Sequence, residues 1–261
     1  MGPAIRIAGI LVLAGFVWSP VFAQGANAAA RRQTPVSVPF VGCASSGQVQ
    51  RLEAPKGTSR RLTIRSSDAE ALAYYRSADG LGLLGPRGWY CLGLSGSSGY
   101  VLYLSPQPIH RDMSGTHGLE GPAIEISHTT NEASGRYTIA EIIGRVFPAY
   151  WTLEKRALNW TDLPFRLPFP LRPFPNDTLT HRGKTIVEYE TPAQTQGLGN
   201  FQSWLRKNDL PIRGVVMLVG DPPNVREGPD LVLLSVRLAP SLSRLIPVIV
   251  GQVERDMIGA R

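Results

Sequence analysis

Short apolar or alternating runs predict that this chain consists mostly of β-strands. The first run, Val36–Val41, has the pattern of an edge strand that ends at Cys43. Arg61–Arg65 alternates polar and apolar side chains, as a half-buried strand does. Trp89–Leu94 and Tyr100–Leu104 are rich in aromatic and branched residues. The serine- and glycine-rich segment between them predicts a hairpin with a loop of about four or five residues.

Helical signals interrupt this pattern. Ser67–Glu70 has the spacing of a capping box, in which a serine and a glutamate satisfy the first amide groups of a helix. We therefore expect a helix from Ala69 to about Arg76 that buries Leu72 and Tyr75. Tyr137–Phe147 places apolar residues on one helical face, and a helical pattern resumes over residues 150–160.

The remaining elements predict the fold class. Four further strands are predicted: Pro122–His128, Lys184–Glu190, Gly214–Val219 and Leu231–Leu238. Ser241–Ile258 is predicted to be a closing helix, with Pro247 near its first turn. Strands and helices do not alternate regularly, and no internal repeat is visible. The sequence therefore predicts an α+β fold with a mixed, largely antiparallel sheet and flanking helices.

A proline-rich segment divides the chain. Leu163–Pro175 contains five prolines and three phenylalanines, which exclude a helix or a central strand. We interpret it as a strap whose phenylalanines cover the core; the alternative is an exposed ligand for a partner's groove. The predicted organisation is a signal peptide (1–23), a disordered leader (24–35), an N-terminal half (36–160), the strap (161–181) and a C-terminal half (182–261). One continuous domain over 36–261 is the alternative.

The N-terminal residues predict export. An apolar run of about twelve residues, Ile7–Trp18, follows Arg6, and Val21–Ala23 precedes Gln24 as a cleavage site would. The run is short for a membrane span. A retained anchor and a second cleavage site after Ala30 are the alternatives. We expect a bacterial periplasmic or secreted protein with no transmembrane segment after signal removal.

Cys43 and Cys91 are the two cysteines of the chain. In an oxidising compartment, such a pair predicts a structural disulfide. Lipid attachment at Cys43 is the alternative, but about twenty residues separate this cysteine from the apolar run.

The charge of the chain limits its partners. The net charge is +7, and removal of residues 1–23, which contain Arg6 as their one charged residue, leaves +7 − 1 = +6. The positive charges are scattered, whereas a nucleic-acid-binding protein typically clusters them on one face or carries a recognisable module. We expect no nucleic-acid partner; an anionic envelope polymer or a protein remains a candidate partner.

Motifs for catalysis are incomplete. The Ser95–Gly99 loop lacks the G-x-S-x-G pattern of a nucleophile elbow and precedes a strand rather than a helix. A serine with a histidine base remains open, with four candidate histidines: His110, His117, His128 and His181. His110, Asp112 and His117 lie close in sequence, but we interpret them as solvated loop residues and expect neither a metal nor a cofactor.

Two further candidates lie near the predicted strand over 184–190. Glu188 and Glu190 share one face of this strand, which we interpret as a polar face in water, with a glycosidase carboxylate pair as the alternative. The polar loop 191–200, hinged at Gly197 and Gly199, is long enough to cover a pocket. Arg87 and Trp89 are the binding residues that we expect to face it.

The segment Gly85–Cys91 with its glycine- and serine-rich loop, together with Ser134–Arg136, Glu188–Pro192, Gly197–Gly199 and Pro211–Gly214, resembles an uncharacterised family of exported bacterial proteins. This resemblance covers most of the mature chain and implies export. It brings no established activity, so it assigns no catalytic residue.

Two functional hypotheses follow. The first is a non-enzymatic exported protein that binds an envelope polymer or a protein partner. The second is an envelope-directed hydrolase whose serine, histidine and glutamate residues converge under loop 191–200. Because every catalytic motif tested is incomplete, the sequence favours the first.

Export and the disulfide together predict the mass of the mature protein. The mature protein should start at Gln24 and should weigh two hydrogens less than the reduced chain. Intact-mass measurement of protein purified from the bacterial envelope, before and after reduction, checks both expectations. Lipid mass on Cys43 would contradict the disulfide.

Overall fold

The computed structural model describes residues 35–48, 50–110, 118–152, 171–220 and 228–259. In this part of the chain the smaller of two β-sheets contains β1 (Val36–Cys43), β4 (Ser59–Leu62), β5 (Leu72–Ser77) and β6 (Gly82–Pro86), in the order β4-β1-β5-β6. β1 pairs with β4 on one side and, in parallel, with β5 on the other. The prediction of an edge strand is therefore wrong, because β1 lies between β4 and β5 in the sheet. β1 is only half-buried along much of its length, as an edge strand often is.

The larger sheet has nine strands in the order β10-β11-β12-β13-β9-β8-β7-β2-β3. Its strands are β2 (Ser45–Ser46), β3 (Arg51–Leu52), β7 (Tyr90–Gly96), β8 (Gly99–Ser105), β9 (Ala123–Thr129), β10 (Thr178–His181), β11 (Ile186–Thr191), β12 (Ile212–Val219) and β13 (Asp230–Arg237). β2 and β7 are parallel, and the other neighbours in this sheet are antiparallel. The predicted α+β class with a mixed, largely antiparallel sheet is confirmed.

Three α-helices accompany the sheets in the described residues: α1 (Ser66–Ala69), α2 (Gly135–Val146) and α3 (Ile246–Gly259). The predicted helix over Tyr137–Phe147 is confirmed as α2. Pro247 is the second residue of α3, where its missing amide hydrogen costs no helical hydrogen bond. Most of the helical pattern over 150–160 lies outside the described residues.

The predicted helix over Ala69–Arg76 is wrong. α1 ends at Ala69, its first turn has no side-chain cap, and residues 72–77 form β5. Leu72 and Tyr75 are buried as expected, but Ala73 and Tyr74 are buried as well, because β5 lies between two strands. Tertiary pairing here overrides a local helical signal.

The β7–β8 hairpin is confirmed with a shorter loop. Gly96 pairs with Gly99, so that the loop contains Ser97 and Ser98 alone. Gly99 has a φ of +128°, and a Cβ there would lie 2.0 Å from the carbonyl oxygen of His128. Glycine is needed at this position because neither the dihedral angle nor the space admits a side chain.

The central strands of the nine-stranded sheet are buried on both faces. The first core lies on one face and contains buried residues of both sheets and of α3; the second core lies on the other face and contains residues of α2. Along β12, Val215 and Met217 belong to the first core, and Val216 and Leu218 belong to the second. Burial on both faces explains why β12 and β13 are almost continuously apolar.

The disulfide between Cys43 and Cys91 is confirmed, with an S–S distance of 2.08 Å. Cys43 is the last residue of β1 in the small sheet, and Cys91 lies in β7 of the large sheet. The bond therefore connects the two sheets.

Strap residues 163–170 lie outside the described residues. Beyond them, Leu171 is buried and Phe174 packs against the second core. β9 and β13 pair along their length, so the ranges 36–160 and 182–261 both contribute strands to one sheet. The described residues belong to one compact unit, Gln33–Arg261. No helix in the described ranges has the length and apolar character needed to cross a bilayer.

Removal of the disulfide should lower stability without changing the fold. The bond joins residues 48 positions apart, and the loss of loop-closure entropy predicts a decrease of about 4 kcal/mol in the free energy of unfolding of a Cys43→Ala/Cys91→Ala variant. Urea unfolding followed by tryptophan fluorescence measures this difference. As a control, a thiol reductant should destabilise the wild type and leave the double variant unchanged. An unchanged urea midpoint in the variant would contradict the prediction.

Candidate functional site

A cleft of about 570 Å³ opens between α3 and the outer strands β10, β11 and β12. Its apolar side comes from α3, where Ile246 and Val250 are buried and Ile258 is 51% exposed. Thr178 and Thr180 of β10 contribute polar side chains to the lining. The cleft therefore presents apolar and polar surfaces to the same ligand.

Charged side chains of both signs line the strand side of the cleft. The Arg182 guanidinium lies 2.6 Å from a carboxylate oxygen of Glu188 and 3.8 Å from one of Glu254. Along the same face, Arg213 Nε lies 2.8 Å from Glu190 Oε2. Each carboxylate thus has an arginine partner, and the charges of the cleft nearly balance.

Glu254 is the carboxyl of the cleft with an unused hydrogen-bonding atom. Burial raises its pKa, Arg182 lowers it, and both the charge of the neighbouring Glu188 and a hydrogen bond with that carboxyl raise it again. Its Oε1 is buried and has no hydrogen-bond partner among the described residues. A buried acceptor without a donor is costly, so a ligand that brings a donor to this atom would gain affinity.

β10 forms one end of the large sheet. It pairs with β11 on one side, and no described strand pairs with its other side. The outward-facing amide and carbonyl groups of such a strand are a template for another extended chain. Among the described strands, this side of β10 is therefore an unpaired edge, and it lies beside the cleft.

The structure places Glu188 and Glu190 on one face, as predicted. That face is not simply solvated, because α3 lies across it and both side chains are paired with arginines. Each carboxylate therefore interacts with an arginine of the same chain rather than with water alone.

Arg87 and Trp89 lie in the turn between β6 and β7. The Arg87 guanidinium donates to the carbonyl oxygen of Ala69 at 2.9 Å, and the Trp89 amide donates to the Tyr75 hydroxyl at 3.0 Å. Tyr75 in turn donates to the carbonyl oxygen of Pro86 at 2.6 Å. These bonds hold the turn against the small sheet.

Gly197 and Gly199 lie in a tightly packed loop. A Cβ at Gly197 would lie 2.0 Å from Asp177 Oδ1, and one at Gly199 would lie 2.6 Å from a methyl group of Ile212. The Asp177 carboxylate accepts hydrogen bonds from the Thr191 hydroxyl at 2.8 Å and from the Leu198 amide at 2.7 Å. The two glycines therefore allow a close approach of the loop to the sheet.

The predicted turn and loop do not face each other. Trp89 packs against the first core, whereas Leu198 of the loop is buried in the second core, on the opposite face of the large sheet. A binding role for either element remains a prediction, but they do not form one site.

A buried carboxyl beneath the segment 201–206 was not anticipated from the sequence. Glu125 of β9 is 5% exposed, and it accepts hydrogen bonds from the Ser203 hydroxyl and the Trp204 amide. Burial raises its pKa to about 7, while the Ser203 and Trp204 hydrogen bonds lower it. Trp204 stacks on Tyr103 with ring centroids 4.5 Å apart.

Arg237 holds the same covering segment from β13. Its side chain is fully buried, and it donates to the carbonyl oxygens of Leu119, Gly121 and Arg206. Burial lowers the pKa of this guanidinium to about 10. Arg237 thereby joins two loops that are distant in sequence.

The described histidines do not form the serine–histidine–glutamate cluster that the hydrolase hypothesis requires. His110 and His181 are exposed, and His128 contacts Tyr100 and Asp230 on the first-core face. Asp112 and His117 lie outside the described residues, and within the described ranges no three metal-ligating side chains converge.

A comparison of this chain with known protein families, with curated proteins and with solved structures finds no match. The resemblance to exported bacterial proteins therefore stays a prediction, and the geometry of the cleft is the basis for a functional proposal.

The raised pKa of Glu125 predicts a pH-dependent stability. The folded state keeps this carboxyl protonated up to about pH 7, whereas the unfolded chain ionises above about pH 4.5. The contribution of this group is therefore present below about pH 4.5, declines as the pH rises and is lost by about pH 7. Glu125→Gln should remove this decline, which is on the order of 3 kcal/mol.

The measurement is urea unfolding of the wild type and the variant at several pH values in this range. Glu120→Gln is a suitable control, because Glu120 lies on the neighbouring loop and is exposed. A Glu125→Gln variant that loses as much stability as the wild type between these pH values would contradict the assignment.

Proposed function

We propose that this protein is an exported binding protein that takes an extended segment of a protein partner into the cleft between α3 and β10–β12. The cleft itself carries the proposal. It combines a length of open strand edge with an apolar wall and charges of both signs.

An extended peptide matches each of these features. Its main chain would add to the free side of β10 through backbone hydrogen bonds, as in other cases of strand addition. Alternate side chains would then point toward α3, where Ile258 offers an exposed apolar surface. A backbone or side-chain donor would satisfy Glu254 Oε1, which lacks a partner in the described residues.

The charge distribution favours a peptide over an anionic polymer. A polyanion requires a surplus of positive charge along its path, whereas the cleft pairs Arg182 with Glu188 and Arg213 with Glu190. A peptide with charges of both signs can exchange partners with these pairs. We therefore assign the polymer hypothesis a lower rank.

Two observations support a location outside the cytoplasm. The N-terminal residues have the pattern of a cleavable signal, and a disulfide connects the two sheets. Disulfides of this structural kind form and persist in oxidising compartments. The periplasm or the extracellular space of a bacterium is accordingly part of the proposal.

Selection of peptides on the purified protein tests the cleft. Gly251→Trp is the informative variant: Gly251 lines the cleft, and a Cβ there would make only an ordinary contact, at 3.4 Å from Arg255. Peptides selected from a random displayed library should bind this variant at least about tenfold more weakly, since the indole would occupy the groove.

Gly121→Trp is the matched control, because Gly121 lies outside the cleft lining and no atom lies within 4 Å of the position of its Cβ. Equal affinities for the wild type and Gly251→Trp would place binding elsewhere. Mass spectrometry of the recovered peptides adds a second outcome, because cleaved peptides would favour the hydrolase hypothesis.

A further inference from the structure

The unpaired side of β10 exposes the backbone groups of two residues. The Arg182 amide donates to the carbonyl oxygen of Ile186 at 2.8 Å, which makes these two residues a hydrogen-bonded pair in the register of β10 and β11. Such pairs alternate along an antiparallel ladder, so Thr180 also directs its backbone groups toward β11. The amide and carbonyl groups of Leu179 and His181 therefore point away from β11, toward the unpaired side.

The side chains of β10 alternate between the two faces of the large sheet. Thr178, Thr180 and Arg182 line the cleft, whereas Leu179 packs against the second core. A strand that pairs antiparallel with this edge bonds to Leu179 and His181. Its residue opposite Thr180 then faces the cleft, because directly opposite residues of a ladder lie on the same face. We call this residue the central residue of the peptide.

The central residue lies two strands away from Glu188. Thr180 pairs with Glu188, and neighbouring strands of a sheet are about 4.8 Å apart. The Cα of the central residue would therefore lie about 10 Å from the Cα of Glu188. The side chain between them, that of Thr180, is short. A long side chain of the central residue can pass over Thr180 and reach the carboxyl groups beyond it.

Two carboxyl groups share one guanidinium at this point. Arg182 lies 2.6 Å from an oxygen of Glu188 and 3.8 Å from one of Glu254. The two carboxyls also form a hydrogen bond with each other, which requires that one of them holds a proton. The nearby Arg255 donates its hydrogen bond to Gln252 Oε1 at 3.0 Å. A cation supplied by a ligand can therefore take the place of the shared proton.

Glu254 offers this cation an acceptor. Its Oε1 is buried and has no hydrogen-bond partner in the described ranges, and its side chain lines the cleft with 14% exposure. The terminal torsion of a glutamate has broad minima, so the carboxyl can turn this oxygen toward a ligand. A hydrogen bond from a cation to a carboxylate is about twice as strong as one between neutral groups.

The path to Glu254 also has an apolar wall, which Val250 and Ile258 of α3 contribute. Lysine and arginine carry a stem of methylene groups that packs on apolar surface while the charged end stays with polar groups. An acidic side chain would be repelled by the two carboxyls, and a short one would not reach them. A basic side chain therefore matches both the wall and its polar end.

We propose that the cleft recognises its peptide through one basic side chain. The central residue, opposite Thr180, is a lysine or an arginine; its charged end binds Glu254 and Glu188, and its stem packs on α3. This inference rests on the proposed binding of an extended peptide and adds to it the residue that the cleft selects. The partner is accordingly a protein segment in which a basic residue lies between two residues that pair with β10.

Selection from a random displayed library tests this preference on the wild-type protein. The peptides that occupy the cleft are those that bind Gly251→Trp at least about tenfold more weakly than the wild type. Among these peptides, one position should contain lysine or arginine in most sequences. Cleft-bound peptides without a shared basic position would overturn this inference.

A double-mutant cycle identifies the partner of the basic residue. Its replacement by methionine keeps an apolar stem without the charge and should weaken binding to the wild type about tenfold. The same replacement should cost less than about twofold on Glu254→Gln, which keeps the size of the side chain and removes its charge. Glu120→Gln removes a charge at an exposed position outside the cleft lining, and as the matched control it should show the same loss as the wild type.

Methylation of single peptide amides tests the register. The amides of the two residues that flank the central residue donate to β10, so a methyl group on either should weaken binding about tenfold. The amide of the central residue points away from β10, and its methylation should weaken binding less than about twofold. Equal losses at the three positions would overturn the register and with it the placement of the central residue.

Failure of peptide binding and failure of the basic preference give different results. If no selected peptide is sensitive to Gly251→Trp, peptide binding in the cleft is wrong, and the basic preference is wrong with it. If peptides are sensitive to Gly251→Trp but the methionine replacement costs the same on the wild type and on Glu254→Gln, the assignment of the basic residue to Glu254 is wrong, and the proposed function stands.

Discussion

Tyr75, Leu84 and Leu104 lie fully buried in an apolar layer that the two sheets bury together with α3. The sheets approach so closely that a Cβ at Gly85 of β6 would lie 2.4 Å from a Leu104 methyl group of β8. Removal of this apolar surface from water is the main force that holds the small sheet in place. Cys43 of the disulfide belongs to this layer, and Cys91 and Trp89 pack against it, so the positions of the disulfide and of the turn that contains Arg87 depend on the layer.

The two faces of the large sheet have different kinds of cover. On the first-core face, α3 packs through Ile249 and Val253 and leaves a cleft beside the outer strands. On the second-core face, a long irregular segment is held by the buried side chains of Glu125 and Arg237. Buried polar groups require complete hydrogen bonding, so these two residues specify one position of the segment.

The sequence predicted individual strands and helices better than it predicted which elements pack or pair with one another. Alternation and branched residues were sufficient for β8, β9 and β11, and the period of apolar residues for α2, because those signals are local. The capping-box spacing at Ser67 led to the wrong prediction of a helix over Ala69–Arg76, because the pairing of β5 with β1 and β6 is a long-range effect. Glu125 has the pattern of an outward-facing residue, and only the segment around Ser203, some 80 positions away, makes it buried. The cleft was not predicted for the same reason, because α3 and β11 are distant in sequence and come together only in the folded chain.

The order of strands in the large sheet has a consequence for biogenesis. β13, whose last residue is Arg237, inserts between β9 and β12, so that β9 lacks one neighbour until nearly the whole chain is present. A chain that becomes available for folding from its N-terminus would therefore expose an apolar strand edge at Ile124 and Ile126 until β13 follows. Such edges associate readily with other chains. Protection of the β9 edge until residues 230–237 are available would limit such association.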